Sequence, residues 1–289
     1  MGMHGRSTKL QVLMVILLSA LCLAEVFAQE APVGVQEVAK MRACPVGKLS
    51  SSALDSVEAV VAQSRTSWAV PQGAFDVPVY VHILQSSSGS NPVTDAQIAK
   101  TIKRLNRGFR KAGFVFEVKS TQTIVNDSWA TIPSSDADVV AEIVQSKNVG
   151  ARNGLNIYIA DTTDLCGFAD LPYSQNEFES LFMHYNCMVD GEYVGNYDTI
   201  IHESGHFMGL LHTFAPEPNG CKGRGDRIDD TPYEREYHFD CKRFDTCPAK
   251  KGLDPVHNHM DYTGDDCRHV FTSGQVALMR SAHYVYRVR

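Results

Sequence analysis

The sequence predicts an α+β fold in two unlike parts, a layered half of strands and helices followed by an irregular half held by cysteines. Three observations predict it. From residue 75 to residue 160, apolar residues alternate at period two and then recur at helical spacing, again and again, as in a layer of strands and helices. After about Pro216 this periodicity gives way to Gly, Asp, Pro, Cys and charge, and returns only near Phe271. Four cysteines and a group of aspartates fall in that stretch, where bridges or ions can replace a core.

Taken in order, His4, Arg6 and Lys9 precede an apolar run, Leu10 to Ala24, and Val26-Phe27-Ala28 has the small-x-small form of a cleavage site. The run is shorter than the roughly 20 residues that span a bilayer. It reads as a secretory signal peptide, residues 1–28, rather than an anchor, and its removal leaves a secreted chain without a membrane segment. Residues 29–67 carry one helical pattern, Leu54, Val57, Val60 and Val61, and are either a propeptide or the first helix of the domain at 68–289. Phe75 to Leu84 alternates Val77, Val79, Val81 and Ile83, a strand. Thr94-Asp95 offers an N-cap ahead of a stripe at Ile98, Ile102, Leu105 and Phe109, a helix. Phe114 to Val118 is a second strand, Asp136 to Gln145 a second helix, and Leu155 to Ala160 a third strand. Thr272 opens a short closing helix through Val276, Met279 and His283.

Composition narrows the function classes. A chain of 289 residues that is 44% hydrophobic can bury a real core, so it is neither disordered nor fibrous. The formal net charge of −6 gives no basic face for phosphates, which excludes nucleic acid as the expected partner. No repeat of 20–50 residues is found, which excludes solenoids and propellers. A monomer is expected.

The strongest signal is His202-Glu203-Ser204-Gly205-His206-Phe207-Met208-Gly209-Leu210-Leu211-His212, the pattern HExxHxxGxxH. Asp198 or Thr199 can cap a helix here, and His202 and His206, four apart, then share one face. Gly209 can take a positive φ that ends the helix and swings His212 back as a third ligand. Three imidazoles leave one position of a zinc ion open, the mark of a catalytic rather than a structural site. Glu203 beside that position suits a general base that takes a proton from water and passes it to a leaving amine.

The motif resembles that of the metzincin zinc endopeptidases. Asn258-His259-Met260-Asp261-Tyr262 resembles their Met-turn, which implies that Met260 floors the metal site and that Tyr262 helps stabilise the tetrahedral intermediate; a packing tyrosine is the other reading. His257 and His259 are taken as exposed loop residues. Gly220-Cys221, Asp229-Asp230-Thr231-Pro232, Asp245-Thr246-Cys247-Pro248 and Phe271-Thr272-Ser273-Gly274-Gln275 extend the likeness to the pappalysin family, above all its small secreted fungal-type members. Ser204 and Phe207-Met208 depart from the commonest form at positions that bind no metal. The resemblance implies a metzincin-like catalytic domain. Its upper subdomain has a twisted mixed sheet and two long helices, one of them carrying the zinc ligands. Its lower subdomain is irregular and disulfide-stapled, with the Met-turn and the C-terminal helix.

Four cysteines in the lower half allow three connectivities; the resemblance implies Cys221–Cys247 and Cys241–Cys267. Cys166 and Cys187 precede the zinc helix and are either a third bridge or free thiols. Cys44, in Met41-Arg42-Ala43-Cys44-Pro45, is either the zinc ligand of a latent precursor or an unpaired thiol. Asp226, Asp229, Asp230 and Thr231 gather oxygen ligands that suit Ca²⁺, or form an exposed acidic loop. Asn126-Asp127-Ser128 is a glycosylation acceptor sequence. Polypeptides bound extended along an edge strand at Leu155 to Ala160 are the expected substrates. Asp265 and Asp266 are expected to line a pocket that favours basic residues. The competing readings are a silent secreted binding module and a zinc hydrolase of a non-peptide amide.

Overall fold

A computed structural model describes residues 70–163, 165–173, 179–217 and 219–288, with the isolated positions Asp55, Glu58, Ala59 and Ala62. All of these belong to one unit, Lys40–Arg289, while the other unit, Met1–Ala39, lies outside the described residues. The signal peptide at 1–28, Cys44 and the pattern Leu54, Val57, Val60 and Val61 also fall outside them.

Five strands form one mixed sheet: β1 (Phe75–Gln85), β2 (Phe114–Val125), β3 (Leu155–Ala160), β4 (Gly167–Ala169) and β5 (Leu181–His184), in the order β2-β1-β3-β5-β4. All neighbours pair parallel except β4 with β5, which pair antiparallel. Alternation along β1 sends Val77, Val79, Val81 and Ile83 to one face, and β3 sends Leu155, Ile157 and Ile159 the same way. That face is covered by α1 (Asp95–Phe109), α3 (Thr199–Phe207) and α4 (Ser273–His283). The opposite face, with Leu84, Tyr158 and Phe182, packs on Ile143 and Val144 of α2 (Ala137–Lys147). With both faces covered, β3 is buried at all six residues.

Local chemistry sets the helix limits. Thr94 and Gln97 form a reciprocal capping box at the start of α1, and Ile98, Ile102, Leu105 and Phe109 are its buried stripe. Thr272 and Gln275 do the same for α4. Gly108 lets α1 approach α3: a Cβ there would lie 2.7 Å from the Ile201 side chain. Among the described residues, no helix is long and apolar enough to cross a membrane.

Two expectations need correction. β3 is no edge strand, since it pairs with β1 and β5; the edge beside α3 belongs to β4. The helix carrying His202 and His206 is also short, nine residues, because Gly209 turns the chain at φ 103°.

Below the sheet, residues 208–217 and 219–272 form turns and loops crossed by disulfides Cys221–Cys247 and Cys241–Cys267, each spanning 26 residues. Cys166–Cys187 ties the start of β4 to the turn after β5.

Candidate metal centre

α3 starts after Asp198 at its N-cap, but that side chain makes no capping hydrogen bond and pairs instead with Arg104 of α1. Burial raises the Asp198 carboxyl, against which the bond to Arg104 works. One turn on, His202 and His206 project together, and the turn at Gly209 brings His212 to meet them. Only glycine fits there: besides the positive φ, a Cβ would lie 2.0 Å from the Tyr173 hydroxyl, which donates to the Gly209 carbonyl.

Nε2 of His206 lies 3.1 Å from Nε2 of both His202 and His212. The far ring nitrogens fix the tautomers. Nδ1 of His202 donates to the His259 carbonyl at 2.8 Å, Nδ1 of His206 to the Leu210 carbonyl at 2.8 Å, and Nδ1 of His212 to Glu217 Oε1 at 3.0 Å. A carbonyl oxygen only accepts, so the proton sits on Nδ1 and the Nε2 lone pairs converge. Burial pushes all three histidines below their usual range and keeps them neutral; neighbouring imidazoles add to this at His202 and His206, while Glu217 opposes it at His212. Three converging lone pairs repel unless a cation lies between them. Their spacing is close to the edge of about 3.3 Å of a tetrahedron with bonds of roughly 2.0–2.1 Å, so the residues fit a metal ion such as zinc. The partners on Nδ1 are the outer contacts that orient metal-binding imidazoles.

Met260 lies directly beneath this helix and is fully buried; a Cβ on Gly205 would sit 2.4 Å from its sulfur. Its turn is fixed by Asn258, whose side chain accepts from Met260 N and exchanges two hydrogen bonds with Gln275 of α4. Tyr262 is buried with its ring 5.5 Å from that of His202 and 4.9 Å from that of His212. Glu203, His202, Tyr262 and Gly167 of β4 line one recess. Gly167 makes room for the carboxylate arm, because a Cβ there would lie 3.0 Å from Glu203 Cγ.

Elsewhere the placements differ from expectation. His257 is exposed, but His259 is buried: its carbonyl holds His202 and its ring packs on Phe271. Asp265 is half-buried. It accepts from the backbone N–H of Tyr197 and Asp198 and pairs with both Arg104 and Arg268. Asp226 and Thr231 are buried, whereas Asp229 and Asp230 are exposed and Asp230 accepts from Gly274 N. Asn126 is half-buried in the turn after β2, where its side chain accepts from Ser128 N.

Several site residues escape sequence reasoning. Glu217 is five residues beyond His212, outside the motif. Glu234, Asp254 and Asp261 join Asp226 in a buried acidic group under the metal centre, with His238 Nε2 2.9 Å from Asp254. Arg268 and Asn196 line the recess itself. The sequence offers no spacing signal for these; the turns and bridges of the lower half bring them in.

Comparison with known proteins agrees with this geometry. Residues 138–283 match the Peptidase_M43 family model, described as pregnancy-associated plasma protein-A. An extracellular metalloprotease of Sordaria macrospora is 34% identical over 229 residues, 75% of this chain and 77% of its own length. One from Pyricularia oryzae is 31% identical over 252 residues, 83% and 86% of the two chains. Mature mirolysin of Tannerella forsythia, solved with a cleaved peptide, superposes with a TM-score of 0.62 at 26% identity, over 73% of this chain and 92% of that one. A promirolysin mutant shares the fold at TM-score 0.68 and 24% identity, over 89% and 94% of the two chains.

Proposed function

The chain belongs to the Peptidase_M43 (pappalysin) family, and on that premise we propose that it is a secreted zinc-dependent endopeptidase that cuts extended polypeptides. The observation that carries this reading is the convergence of three neutral Nε2 atoms beside Glu203 in one recess. His202, His206 and His212 would hold a zinc ion, which when bound would supply Lewis acidity toward the scissile carbonyl and make water easier to deprotonate. Glu203 takes the proton of the attacking water and delivers it to the leaving amine. Tyr262 donates its phenol hydrogen bond to the oxygen on which negative charge develops. The substrate lies along β4, the last strand of the sheet, and extends it by backbone hydrogen bonds. The leader at 1–28, latency through Cys44 and glycosylation at Asn126 belong to the same reading and rest on the sequence alone.

The purified protein should degrade an unfolded protein at internal bonds, as mass spectrometry of the products reports. 1,10-Phenanthroline should abolish the cleavage and added zinc restore it. A zinc-loaded protein that binds but never cuts polypeptides would make it a binding module instead.

Calcium is part of the proposal. Asp226 and Thr231 are buried, two of the four residues whose oxygens suit Ca²⁺, and Glu234 and Asp261 belong to the same buried acidic group. Burial raises the carboxyls of Asp226, Glu234 and Asp261, so without a cation the folded protein holds protons that the unfolded chain releases. Their stabilisation is complete below the unfolded values, about pH 4, and is lost as pH rises through the raised folded values. In zinc-containing, calcium-free buffer the melting temperature should therefore fall between about pH 5 and pH 8. Calcium should raise it most at the upper end, where carboxylates are easiest to ionise. Identical melting curves with and without calcium at pH 8 would remove calcium from the reading.

A further inference from the structure

Away from the recess, α1 gathers positive charge on its outer side. Between Asp95 and Glu117 the sequence has no acidic residue and six basic ones, Lys100, Lys103, Arg104, Arg107, Arg110 and Lys111, in a chain whose net charge is −6. With 3.6 residues per turn these six fall within about 120° of the helix circumference, opposite the buried stripe Ile98, Ile102, Leu105 and Phe109. Arg110 and Lys111 belong to the 3₁₀ turn Arg110–Ala112 that continues α1. Solvated helix faces usually interleave both signs. The helix dipole accounts for a cation in the last turn, here Arg107, and not for Lys100 or Lys103 further back.

The acids that meet this face engage two of the six cations. Asp190 pairs with Lys100, and Asp198 and Asp265 pair with Arg104. The pair at Lys100 is more than half exposed on both sides, so it holds that lysine weakly. Lys103, Arg107, Arg110 and Lys111 are exposed and make no ion pair among the described residues. Lys100, Lys103, Arg107 and Arg110, with Asn106 and Val189, line one open groove along the helix. From Lys100 to Arg110 it runs about 15 Å, at 1.5 Å per residue. Like charges held this close repel one another, and a ligand with repeated negative charges relieves the repulsion.

The lining selects the kind of polyanion. A membrane-binding helix sets apolar residues beside its cations to enter the lipid, whereas the apolar stripe of α1 is buried in the core. Single-stranded nucleic acid is held by aromatic side chains on which its bases stack, and no aromatic residue lines this groove. An acidic polysaccharide needs neither, and it is a polymer met outside the cell, where the relatives of this chain act as extracellular proteins. We propose that the groove on α1 binds an acidic polysaccharide and anchors the secreted protein to it. This holds whether or not the recess cuts peptides. Sulfate and carboxylate groups offer the same charge, and the test separates them.

The purified protein is applied at neutral pH and about 50 mM salt to immobilised heparin, which is sulfated, to polygalacturonate, which is only carboxylated, and to neutral dextran. It should be retained by a charged polymer and not by dextran; retention on heparin alone assigns the groove to sulfate, and retention on both to either anion. Lys103→Gln, Arg107→Gln and Arg110→Gln together should weaken binding at least about 10-fold and make the slope of log affinity against log salt shallower by roughly 2. The same loss of charge on exposed loops, Lys222→Gln, Lys242→Gln and Lys251→Gln, should leave the slope nearly as it was. In the parent protein, bound polymer should protect Lys100 and Lys103 from acetylation more than Lys251, which tests the site without any variant. A parent that passes both charged polymers unretained overturns the proposal, as does equal weakening in the two triple variants or protection that spares Lys100 and Lys103. Tighter binding to phosphatidylserine vesicles or to a single-stranded oligonucleotide than to either polysaccharide, through the same three residues, overturns the choice of ligand.

Discussion

Glu203→Gln should lower kcat/KM for peptide hydrolysis by about 10²- to 10⁴-fold while the protein keeps its zinc. Glutamine has nearly the same shape, so the packing against Gly167 and the neighbouring His202 survives. It cannot take up a proton, so the step that activates water and the one that protonates the amine both suffer. Nothing in the fold should change, because Glu203 is not one of the three convergent ligands. Cleavage of a quenched peptide, with zinc measured by atomic absorption on the same sample, checks both halves. Activity within a few-fold of the parent would remove Glu203 from the proton path, and loss of zinc would make it part of the metal site.

Arg287→Ala should cost about 3–5 kcal/mol of stability, the largest effect expected outside the metal centre. Arg287 and Glu179 form an ion pair with both side chains 1% exposed, beneath the end of α3. The same guanidinium donates to the Phe207 carbonyl at 2.7 Å and lies 3.8 Å over the Phe207 ring. A cation at this helix end also meets the negative end of the helix dipole. Removing it leaves Glu179 buried without its counter-charge and opens a cavity behind α3. Burial already raises the Glu179 carboxyl, with Arg287 opposing, so in the variant the acid should take up a proton more readily than in the parent. Thermal melting should show a drop of roughly 10 °C. Removing both charges in Arg287→Met with Glu179→Gln should recover most of it. A single variant as stable as the parent would contradict the role given to this pair.

Much of the layered half was readable because each element carries its own period. β1, α1, α2 and β3 show apolar spacing over six or more residues, and Thr94 and Thr272 announce the starts of their helices. β4 and β5 were invisible for the opposite reason. At three and four residues they are too short for a pattern, and they exist because β5 pairs with β3, more than twenty residues upstream. Assigning β3 to the sheet edge followed from missing them. The histidine triad was legible since His202, His206, Gly209 and His212 are local in sequence. The surroundings of the triad were not. Glu217 orients His212 from a loop, and Arg268 is brought to the recess one residue after Cys267, whose bridge to Cys241 pins that segment. Glu234 and Asp261 look like ordinary surface acids until the turns of the lower half bury them. His259 shows the same limit: its side chain suggested exposure, while its carbonyl is what the site uses.

The central claim is that the three histidines hold the metal that lets this protein cut peptide bonds. The most direct measurement is a titration of the metal-free protein with zinc, following bound zinc and cleavage of an unfolded protein together. Activity should rise in proportion to zinc and reach its plateau at a single bound ion, and His212→Ala should bind that ion more weakly and remain inactive. Full cleavage by the metal-free protein, or a zinc-saturated protein that cleaves nothing, would contradict the account.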